Sequence, residues 1–366
     1  MKLLMITGDT ALAQGKKGPF YYMLQEFSKY WDRIDIICPK TKQEVSKVHN
    51  NTYIHVSTKN KIFHPKYILK KGKEIIEKQN TDFFTIHSYP PFYNDIGGKK
   101  LHKKTKTPYA LEIMHITGYP KAANIKEKIY RTLTRIFIRK FSKNAKIVRV
   151  INKKQVPEFL KRAGVKENKI KYIPAFYIDL NTFQPQQTEK KYDIVFSGRL
   201  TKNKGIFLLL KAVKEIEASL IITGTGPLKG KIEKYIKDNK LEKKIKLAGW
   251  LPTTKDIANI YNQSRMMVMP SFNEGGPRVT LEAMACKTPV ITTRVGIMLD
   301  IIKDKENGLF IDWDKEDIKN KISILLKDKE LIKKIAENGY KTIQQFERKE
   351  SIKNYAQTYK NLLHNS

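Results

Sequence analysis

Short apolar runs that alternate with amphipathic segments constrain the fold of this 366-residue chain more than any other feature. Patterns of helical period separate most of the runs, as in Phe20–Tyr30 and Tyr67–Lys78. Because the runs are continuously apolar, each predicts a strand of a parallel sheet that is covered on both faces. In the first half the predicted strands are Leu3–Thr7, Ile34–Cys38, Tyr53–Val56, Phe83–Ile86, Tyr109–Met114 and Ile147–Ile151.

The pattern restarts after a polar segment without periodicity, residues 178–191 (IDLNTFQPQQTEKK), which we predict to be a linker. Further strands are predicted at Ile194–Ser197, Leu220–Thr223, Lys246–Ala248, Met266–Met269 and Pro289–Thr292. At about 150 residues per domain, the length suits two domains. The predicted fold class is therefore α/β, with two doubly wound domains whose ligands bind beyond the carboxyl ends of the strands.

Composition excludes several classes of protein. With 40% hydrophobic and 29% charged residues, the chain can bury a large core and is not disordered. No run approaches the roughly 18 apolar residues of a membrane-spanning helix. The first residues, MKLLMITGD, are too short an apolar run for a signal peptide and predict a buried strand. Cys38 and Cys286 provide neither a disulfide framework nor a metal-ligand spacing, so we expect a soluble, cytoplasmic protein.

The net charge of +35 is concentrated in residues 1–180, which hold 37 basic and 14 acidic side chains against 34 and 22 in the remainder. Such a field attracts polyanions, including nucleic acid, anionic lipid headgroups and phosphorylated substrates. The lysine-rich composition of an AT-rich genome would explain the charge equally well. Charge alone selects no function, and since no zinc spacing, RNA-binding signature or basic tail is found, no nucleic-acid partner is expected.

The loop SGRLTKNKG, residues 197–205, follows a predicted strand and precedes the predicted helix Ile206–Glu215. Gly198 permits close approach of the backbone, while Arg199 and Lys204 place two cations beside a helix N-terminus. This combination suits a diphosphate, because the helix dipole and the backbone amides favour an anion there. A solvated basic loop is the alternative interpretation.

Two further strand-to-helix turns contain glycine. Gly224 and Gly226 lie in TGTGP, a Gly-x-Gly turn that is weak evidence by itself, with Pro227 suited to the first helical position. Trp250 follows the next strand in GWLP and could offer an apolar wall to a flat base. An ordinary buried tryptophan is the alternative, which we favour for this side chain.

The most informative segment is PSFNEGGPRVTLEAMA, residues 270–285, which leaves a predicted strand and enters a helix. Glu274 lies in the loop, and Gly275 and Gly276 leave amides accessible at the helix N-terminus. Glu282 follows about two helical turns later. Hydroxyl-rich ligands need carboxylate acceptors and phosphates need free amides, and this loop offers both. The alternative is a chance spacing in which Glu274 only complements the helix dipole.

In order and spacing these motifs resemble the family-4 retaining glycosyltransferases (glycosyl transferases group 1), whose GT-B fold has two facing Rossmann-like domains with parallel sheets. The resemblance covers nearly the whole chain, and the pair Glu274 and Glu282 is its most specific part. Residues 173–183 resemble the interdomain segment of the family, with Ala175-Phe176 in place of its usual Asn-Gly. The domains predicted on this basis are an acceptor-side domain over residues 1–180, a nucleotide-sugar-binding domain over 181–345, and a C-terminal helix over 346–366 that packs back on the first domain.

The resemblance implies a role for each of these residues. Arg199 and Lys204 hold the diphosphate of a nucleotide-sugar donor, Glu274 contacts the transferred sugar, and Glu282 binds the ribose. The other donor contacts that it implies are Gly198, Gly224, Gly226, Trp250, Gly275, Gly276, Arg278 and Val279. The candidate catalytic residues are Glu274, Arg199, Lys204 and, from the first half of the chain, His115.

Two residues of the first half match the family less completely, and two more are candidates through their position after a strand. Gly18, in GKKG, matches the glycine-rich loop near the donor phosphates, although adjacent glycines are absent. His115 matches the active-site histidine near the sugar, although Ile116 follows it where many members have Asp. An ordinary core histidine is the alternative for His115. His87 and Tyr89 follow another predicted strand and are acceptor-side candidates.

The expected reaction needs no metal, since no Asp-x-Asp motif lies near these loops, and no cofactor besides a UDP- or GDP-linked sugar donor. Arg199, Lys204 and a helix N-terminus can stabilise the negative charge of the leaving nucleoside diphosphate. Retention without an obvious carboxylate nucleophile resembles the same-face substitution proposed for the family. The expected acceptor is a glycan or a lipid-linked molecule, as in cell-envelope polysaccharide synthesis. The alternatives are a basic polyanion-binding protein and a nucleotide-sugar binder without catalysis.

Residues 121–146 contain nine basic side chains and one acidic side chain, Glu127. Apolar residues recur among them at helical spacing, at Ile125, Ile129, Leu133, Ile136, Phe137 and Phe141. One interpretation is an interfacial helix on anionic lipid, which makes an anionic membrane surface a candidate partner and the protein a peripheral one. The other is a helix whose apolar stripe faces the core and whose outer face is basic, and we favour it for the stripe.

Overall fold

The structure, a computed structural model, describes residues 1–175 and 177–364 and divides into two compact units. Unit 1 contains Met1–Thr117, Ile129–Ala175 and Lys349–Ser366, and unit 2 contains Gly118–Lys128 and Phe176–Arg348. Phe176 of the replaced Asn-Gly pair and residues 365–366 of the predicted C-terminal segment lie outside the described residues. Both units contain a mainly parallel sheet, so the α/β prediction is confirmed.

Unit 1 is built on an eight-stranded sheet. Its strands are β1 (Lys2–Ile6), β2 (Arg33–Cys38), β3 (Lys47–Val48), β4 (Thr52–Val56), β5 (Phe83–His87), β6 (Tyr109–Ile113), β7 (Ile147–Val150) and β8 (Ile170–Tyr172). They lie in the order β3-β4-β2-β1-β5-β6-β7-β8, and only the pair β3 and β4 is antiparallel. Strands β1, β5, β6 and β7 are buried almost throughout, which explains their continuously apolar sequences.

Five α-helices begin before residue 176. They are α1 (Pro19–Phe27), α2 (His64–Gln79), α3 (Tyr93–Thr105), α4 (Ile125–Ser142) and α5 (Gln155–Arg162). Helix α4 belongs to unit 1 from Ile129 onward. Every strand predicted for the first half is present, whereas β3 and β8 were not predicted, because two or three residues are too few to show a pattern.

Helix α4 does not bury its apolar stripe, so the interpretation that we favoured for the stripe is wrong. Of the six apolar positions, Phe141 is buried and Leu133 is half-buried. The exposed ones are Ile125, Ile129, Ile136 and Phe137. The side that the helix buries instead is formed by Thr134, Ile138, Phe141 and Ser142.

Unit 2 is built on a six-stranded parallel sheet. Its strands are β9 (Tyr192–Ser197), β10 (Leu220–Thr223), β11 (Ile245–Gly249), β12 (Ser264–Met269), β13 (Val290–Thr293) and β14 (Leu309–Ile311). Its helices are α6 (Ile206–Lys214), α7 (Lys229–Asp238), α8 (Thr254–Asn262), α9 (Arg278–Ala285), α10 (Met298–Ile301), α11 (Lys315–Lys327) and α12 (Lys329–Ile343). The order β11-β10-β9-β12-β13-β14 reverses between β9 and β12, and such a switch point is where doubly wound sheets bind ligands.

Unit 2 also includes two segments that do not belong to its sheet. Residues 179–191 lie outside helices and strands and belong to unit 2, and the assignment of residues 178–191 as a linker stays a prediction. Residues 118–128 belong to unit 2, although the sequence analysis places them in the first domain. Asn273 accounts for this difference, because its Nδ2 donates hydrogen bonds to Lys121 O (3.0 Å) and to Glu127 Oε2 (2.8 Å). The remaining domain limits stay a prediction.

Helix α13 (Arg348–His364) contributes to the core of unit 1. Tyr355 and Tyr359 are buried, and each hydroxyl donates a 2.6 Å hydrogen bond to Glu112 Oε1. Glu112 lies on β6, directly opposite Arg149 of β7, and Arg149 Nη1 donates to the same oxygen over 2.8 Å. One buried carboxylate therefore joins the last helix to the middle of the sheet.

Candidate active site

The loops after β9, β10 and β11 pack backbone to backbone at the carboxyl edge of the unit 2 sheet. Gly224 N donates a 2.6 Å hydrogen bond to Gly249 O. At Gly224, where φ is +112°, a Cβ atom would collide with the carbonyl oxygen of Gly198. A Cβ atom at Gly226 would lie 2.6 Å from the carbonyl oxygen of Leu200. The loop packing thus requires these glycines and brings the predicted phosphate and base loops together.

Lys204 and Glu274, from the loops after β9 and β12, form an ion pair in which Lys204 Nζ donates to Glu274 Oε1. Ser271 Oγ donates to the same carboxylate oxygen over 3.3 Å. The amide of Phe272 donates to Asn203 O over 2.7 Å and holds the two loops together. Each side chain of the ion pair is 16% exposed, so a ligand can reach both groups in a partly desolvated setting that strengthens charge interactions.

Helix α9 begins at Arg278 without a side-chain cap, because Pro277 occupies the N-cap position. The first amides of a helix have no intrahelical acceptor, so Arg278 and Val279 present amides at the positive end of the helix dipole. Gly275 is fixed from the other side, since Ile297 N donates to its carbonyl oxygen over 2.9 Å. The predicted residues Gly275, Gly276, Arg278 and Val279 therefore surround one helix N-terminus, next to Glu274.

Glu282 lies further along α9, where Tyr261 OH donates to its Oε2 over 3.3 Å. Burial raises the pKa of Glu282, and the charge of Arg278 and the Tyr261 hydroxyl offset only part of this rise. The Arg278 guanidinium carbon lies 4.6 Å from the centroid of the Tyr177 ring. The sequence analysis missed Tyr177 and Tyr261, because a tyrosine in a linker or an amphipathic helix carries no local sign of its partner.

Arg199 and Trp250 complete the unit 2 residues and are both exposed. The Trp250 side chain, directly after β11, is 74% exposed, so the interpretation of an ordinary buried tryptophan is wrong. An exposed indole at the carboxyl edge of a sheet can stack on a planar ring. The arrangement thus offers cations, free amides, two carboxylates and an aromatic face at the edge of one sheet.

In unit 1, Gly18 and His115 lie after the carboxyl ends of β1 and β6. Gly18 is the N-cap residue of α1, and a Cβ atom there would meet no described atom within 4 Å. Packing therefore does not require glycine at this position, in contrast to Gly224. His115 is exposed, so the alternative of a core histidine is wrong.

His87, the last residue of β5, is held through both ring nitrogens. Nδ1 lies 2.9 Å from Thr7 Oγ1, and Nε2 lies 2.6 Å from Glu112 Oε2. Burial alone would raise the pKa of Glu112, but Arg149, His87 and Tyr355 outweigh it and hold that pKa well below its usual range. The imidazole is therefore fixed at the carboxyl edge of the sheet by a carboxylate that stays ionised.

Tyr89, the second acceptor-side candidate, is 38% exposed and lies near His87 in sequence. Its phenol packs against the backbone of Gly8, where a Cβ atom would collide with the ring. The sequence analysis missed Glu112 and Arg149. The available signal was one charged residue in the middle of each of two neighbouring apolar runs, YALEIM and IVRVI.

Within residues 1–175 and 177–364, no group of three or more His, Cys, Asp or Glu side chains is placed to hold a metal ion. In the same part of the chain, no helix is both long and apolar enough to cross a membrane.

The sequence matches a known family and its members. Residues 178–342 match the family model for glycosyl transferases group 1. The chain is 29% identical over 297 residues to an uncharacterized glycosyltransferase of Methanocaldococcus jannaschii, with 80% of this chain and 79% of the relative covered. It is 26% identical to an alpha-1,4-N-acetyl-D-galactosaminyltransferase of Campylobacter jejuni whose name specifies a PP-undecaprenol-linked acceptor, with 63% and 64% covered.

Solved structures show the same fold. A sucrose-phosphate synthase of Thermosynechococcus elongatus superposes with a TM-score of 0.84 at 19% identity, covering 100% of both chains. HepE of Anabaena, in complex with UDP and glucose, superposes with a TM-score of 0.77 at 17% identity, covering 99% of this chain and 100% of that one. The prediction of a GT-B fold with two Rossmann-like domains is confirmed.

Proposed function

We propose that the chain, whose residues 178–342 match the family model for glycosyl transferases group 1, transfers a sugar from a UDP- or GDP-linked donor to a glycan or lipid-linked acceptor. We propose retention of configuration, without a metal ion or cofactor. The observation that carries the proposal is the contact between Lys204 and Glu274 beside the uncapped N-terminus of α9. The Campylobacter relative, with its undecaprenol-linked acceptor, supports a lipid-linked acceptor here.

In this proposal the donor diphosphate binds Arg199, Lys204 and the amides of Arg278 and Val279. Phosphate oxygens compete for Lys204, and the Glu274 carboxylate is released to accept hydrogen bonds from sugar hydroxyls. Cleavage of the bond to the anomeric carbon adds negative charge to the leaving phosphate. The two cations and the helix N-terminus stabilise this charge more strongly in the transition state than in the ground state.

The acceptor hydroxyl oxygen bonds to the anomeric carbon on the face from which the diphosphate departs. Its proton passes to the departing phosphate oxygen, so the step needs no carboxylate nucleophile and no further reactant. Glu282 holds the ribose in this proposal, and Gly224, Gly226 and Trp250 flank the base. From unit 1, we propose that Gly18 contacts the phosphates, His115 the sugar, and His87 and Tyr89 the acceptor.

Donor binding is tested by thermal unfolding with UDP- and GDP-sugars in EDTA. A ligand at a hundredfold excess over its Kd stabilises the folded protein by about 2.7 kcal/mol. One nucleotide series should shift the midpoint, and Lys204→Ala should remove the shift. Lys202→Ala, an exposed lysine of the same turn, is the matched control and should retain it. No shift with any donor in a folded sample would refute the proposed site.

Catalysis is tested separately by release of the nucleoside diphosphate from the bound donor in EDTA. Glu274→Gln should keep donor binding within tenfold and lower release by roughly 10²–10³-fold. Binding by the wild type without release or transfer would identify a non-catalytic nucleotide-sugar binder. Activity that EDTA removes and Mg²⁺ restores would refute metal independence. The anomeric configuration of the transferred sugar, read by NMR, tests retention.

A further inference from the structure

From Ile129 onward, helix α4 of unit 1 turns large apolar side chains toward solvent. Ile129 is 53% exposed, Ile136 60% and Phe137 38%, while Leu133 is half-buried. At 3.6 residues per turn, Ile129, Leu133 and Ile136 form one row along the helix, with Phe137 beside it. These four side chains are called the outer stripe below.

The outer stripe extends past the carboxyl ends of the strands. The centroid of the Phe137 ring lies 6.3 Å from that of Phe92, which directly precedes α3. A helix that connects two parallel strands runs antiparallel to them, so residues before Phe137 continue outward from the sheet. At 1.5 Å per residue, Ile129 lies about 12 Å beyond Phe137 along the helix. The stripe is thus at the edge of unit 1 that also carries His87 and Tyr89.

Cations border the outer stripe along one flank and at one end, and residues 129–146 contain no acidic side chain. Residues 129–146 include six basic side chains, at Arg131, Arg135, Arg139, Lys140, Lys143 and Lys146. Lys140 continues the row of the stripe, and Arg135 and Arg139 lie along one flank of it. All three are exposed. Lys169 Nζ donates to Lys143 O over 2.6 Å, which adds a cation at the helix C-terminus.

An apolar row bordered by cations matches the chemistry of a bilayer surface. The isoleucine side chains can enter the boundary of the acyl region, while arginine and lysine reach lipid phosphates with their long side chains. A nucleic acid would pair with the cations but leave the isoleucines in water. We infer that the outer stripe of α4 and its cations dock unit 1 on an anionic phospholipid bilayer. This goes beyond the proposed reaction and does not depend on it, although a lipid-linked acceptor would enter at the same edge.

The test is co-sedimentation of the full chain with vesicles of phosphatidylcholine alone or mixed with phosphatidylglycerol. The mixed vesicles should pellet the protein and the neutral vesicles should not. Since each basic residue near an anionic surface strengthens binding by about fivefold, Arg135→Gln with Arg139→Gln should weaken binding at least tenfold. Ile129→Ser with Ile136→Ser should weaken it to a similar extent at unchanged net charge.

Matched controls lie in unit 2. Ile324→Ser removes an apolar side chain that is 44% exposed on α11, and Lys333→Gln with Lys334→Gln removes two exposed cations on α12. These variants should bind the mixed vesicles like the wild type, and thermal unfolding should show that all variants are folded. If the Ile129/Ile136 variant bound the mixed vesicles as strongly as the wild type, vesicle binding would be explained by positive charge alone, and the inference would be overturned. Binding of a single-stranded RNA oligonucleotide without any vesicle binding would also overturn it.

Discussion

The buried carboxylate of Glu112 supports a prediction about the stability of unit 1. Its side chain is inaccessible to solvent and contacts Arg149, His87, Tyr355 and Tyr359 at 2.6–2.8 Å. Glu112→Gln keeps the shape and an acceptor oxygen but removes the charge. Arg149 would then remain buried without the negative charge that faces it, and its guanidinium would donate only to uncharged oxygens such as the carbonyl oxygens of Ile173 and Pro174.

Removing one partner of a buried ion pair costs about 3–5 kcal/mol, because the other charge stays desolvated and unpaired. For a domain of 150–250 residues each kcal/mol lowers the melting temperature by about 2–4 °C, so Glu112→Gln should lower it by roughly 6–20 °C. Equilibrium unfolding in urea measures the loss directly. Glu158→Gln, which breaks an exposed pair with Arg162 on α5, is the control and should stay within about 0.5 kcal/mol.

A double-mutant cycle separates the ion pair from the rest of the site. Arg149→Met alone should also be strongly destabilising, because the buried charge of Glu112 would lose the guanidinium and keep only the tyrosine hydroxyls and His87 as partners. The loss of unfolding free energy in the double variant Glu112→Gln/Arg149→Met should be smaller than the sum of the two single-variant losses by about 2 kcal/mol or more. A loss below about 1 kcal/mol for Glu112→Gln, or additivity within about 0.5 kcal/mol, would refute the reasoning.

Three further outcomes follow from described positions. The pKa of Glu112 is depressed in the folded chain. The ionised carboxylate therefore stabilises the fold above the pKa of an unfolded glutamate, about 4.3, and this stabilisation is lost as the pH falls below that value. The unfolding free energy of the wild type should consequently fall more steeply on acidification than that of Glu112→Gln. Burial raises the pKa of Glu282, so the loss of donor affinity on acidification should set in at a higher pH than it would if an unperturbed glutamate bound the donor. In calorimetry, Glu282→Gln should bind the donor roughly ten- to a hundredfold more weakly and without this pH dependence. Gly224→Ala should destabilise unit 2 by about 1–3 kcal/mol in urea unfolding, whereas Gly18→Ala, which meets no described atom, should leave stability within about 0.5 kcal/mol; equal losses would contradict the loop-packing argument.

Continuously apolar strands are the part of the fold that sequence predicts best. Leu3–Thr7 and Leu220–Thr223 were located within two residues, because a strand buried on both faces has no polar positions. The two-residue strand β3 could not be found this way, since it is too short to carry a pattern. The stripe of α4 shows a second limit: helical spacing identifies an apolar side but does not say whether that side meets a core or solvent.

The candidate site likewise contains residues that local sequence could predict and residues that it could not. Glycines and charges of the unit 2 loops could be predicted, because strand, loop and helix follow one another in the sequence and their order fixes their place. The row His87, Glu112 and Arg149 could not, because these residues become neighbours only when β5, β6 and β7 pair in register. Tyr355 and Tyr359 lie more than 240 positions from Glu112, and no local pattern records such a contact.

The place of α13 in the chain has a consequence for synthesis on the ribosome. Unit 1 takes its last helix from residues translated after unit 2, so a nascent chain that has completed β8 still lacks part of its core. At about 5–20 residues per second, the roughly 170 intervening residues take on the order of 10–35 s. During this interval the Phe27 ring lacks the Tyr355 ring that stacks on it at 4.5 Å, and Glu112 lacks both tyrosine hydroxyls. Unit 2 can therefore fold before the core of unit 1 is complete.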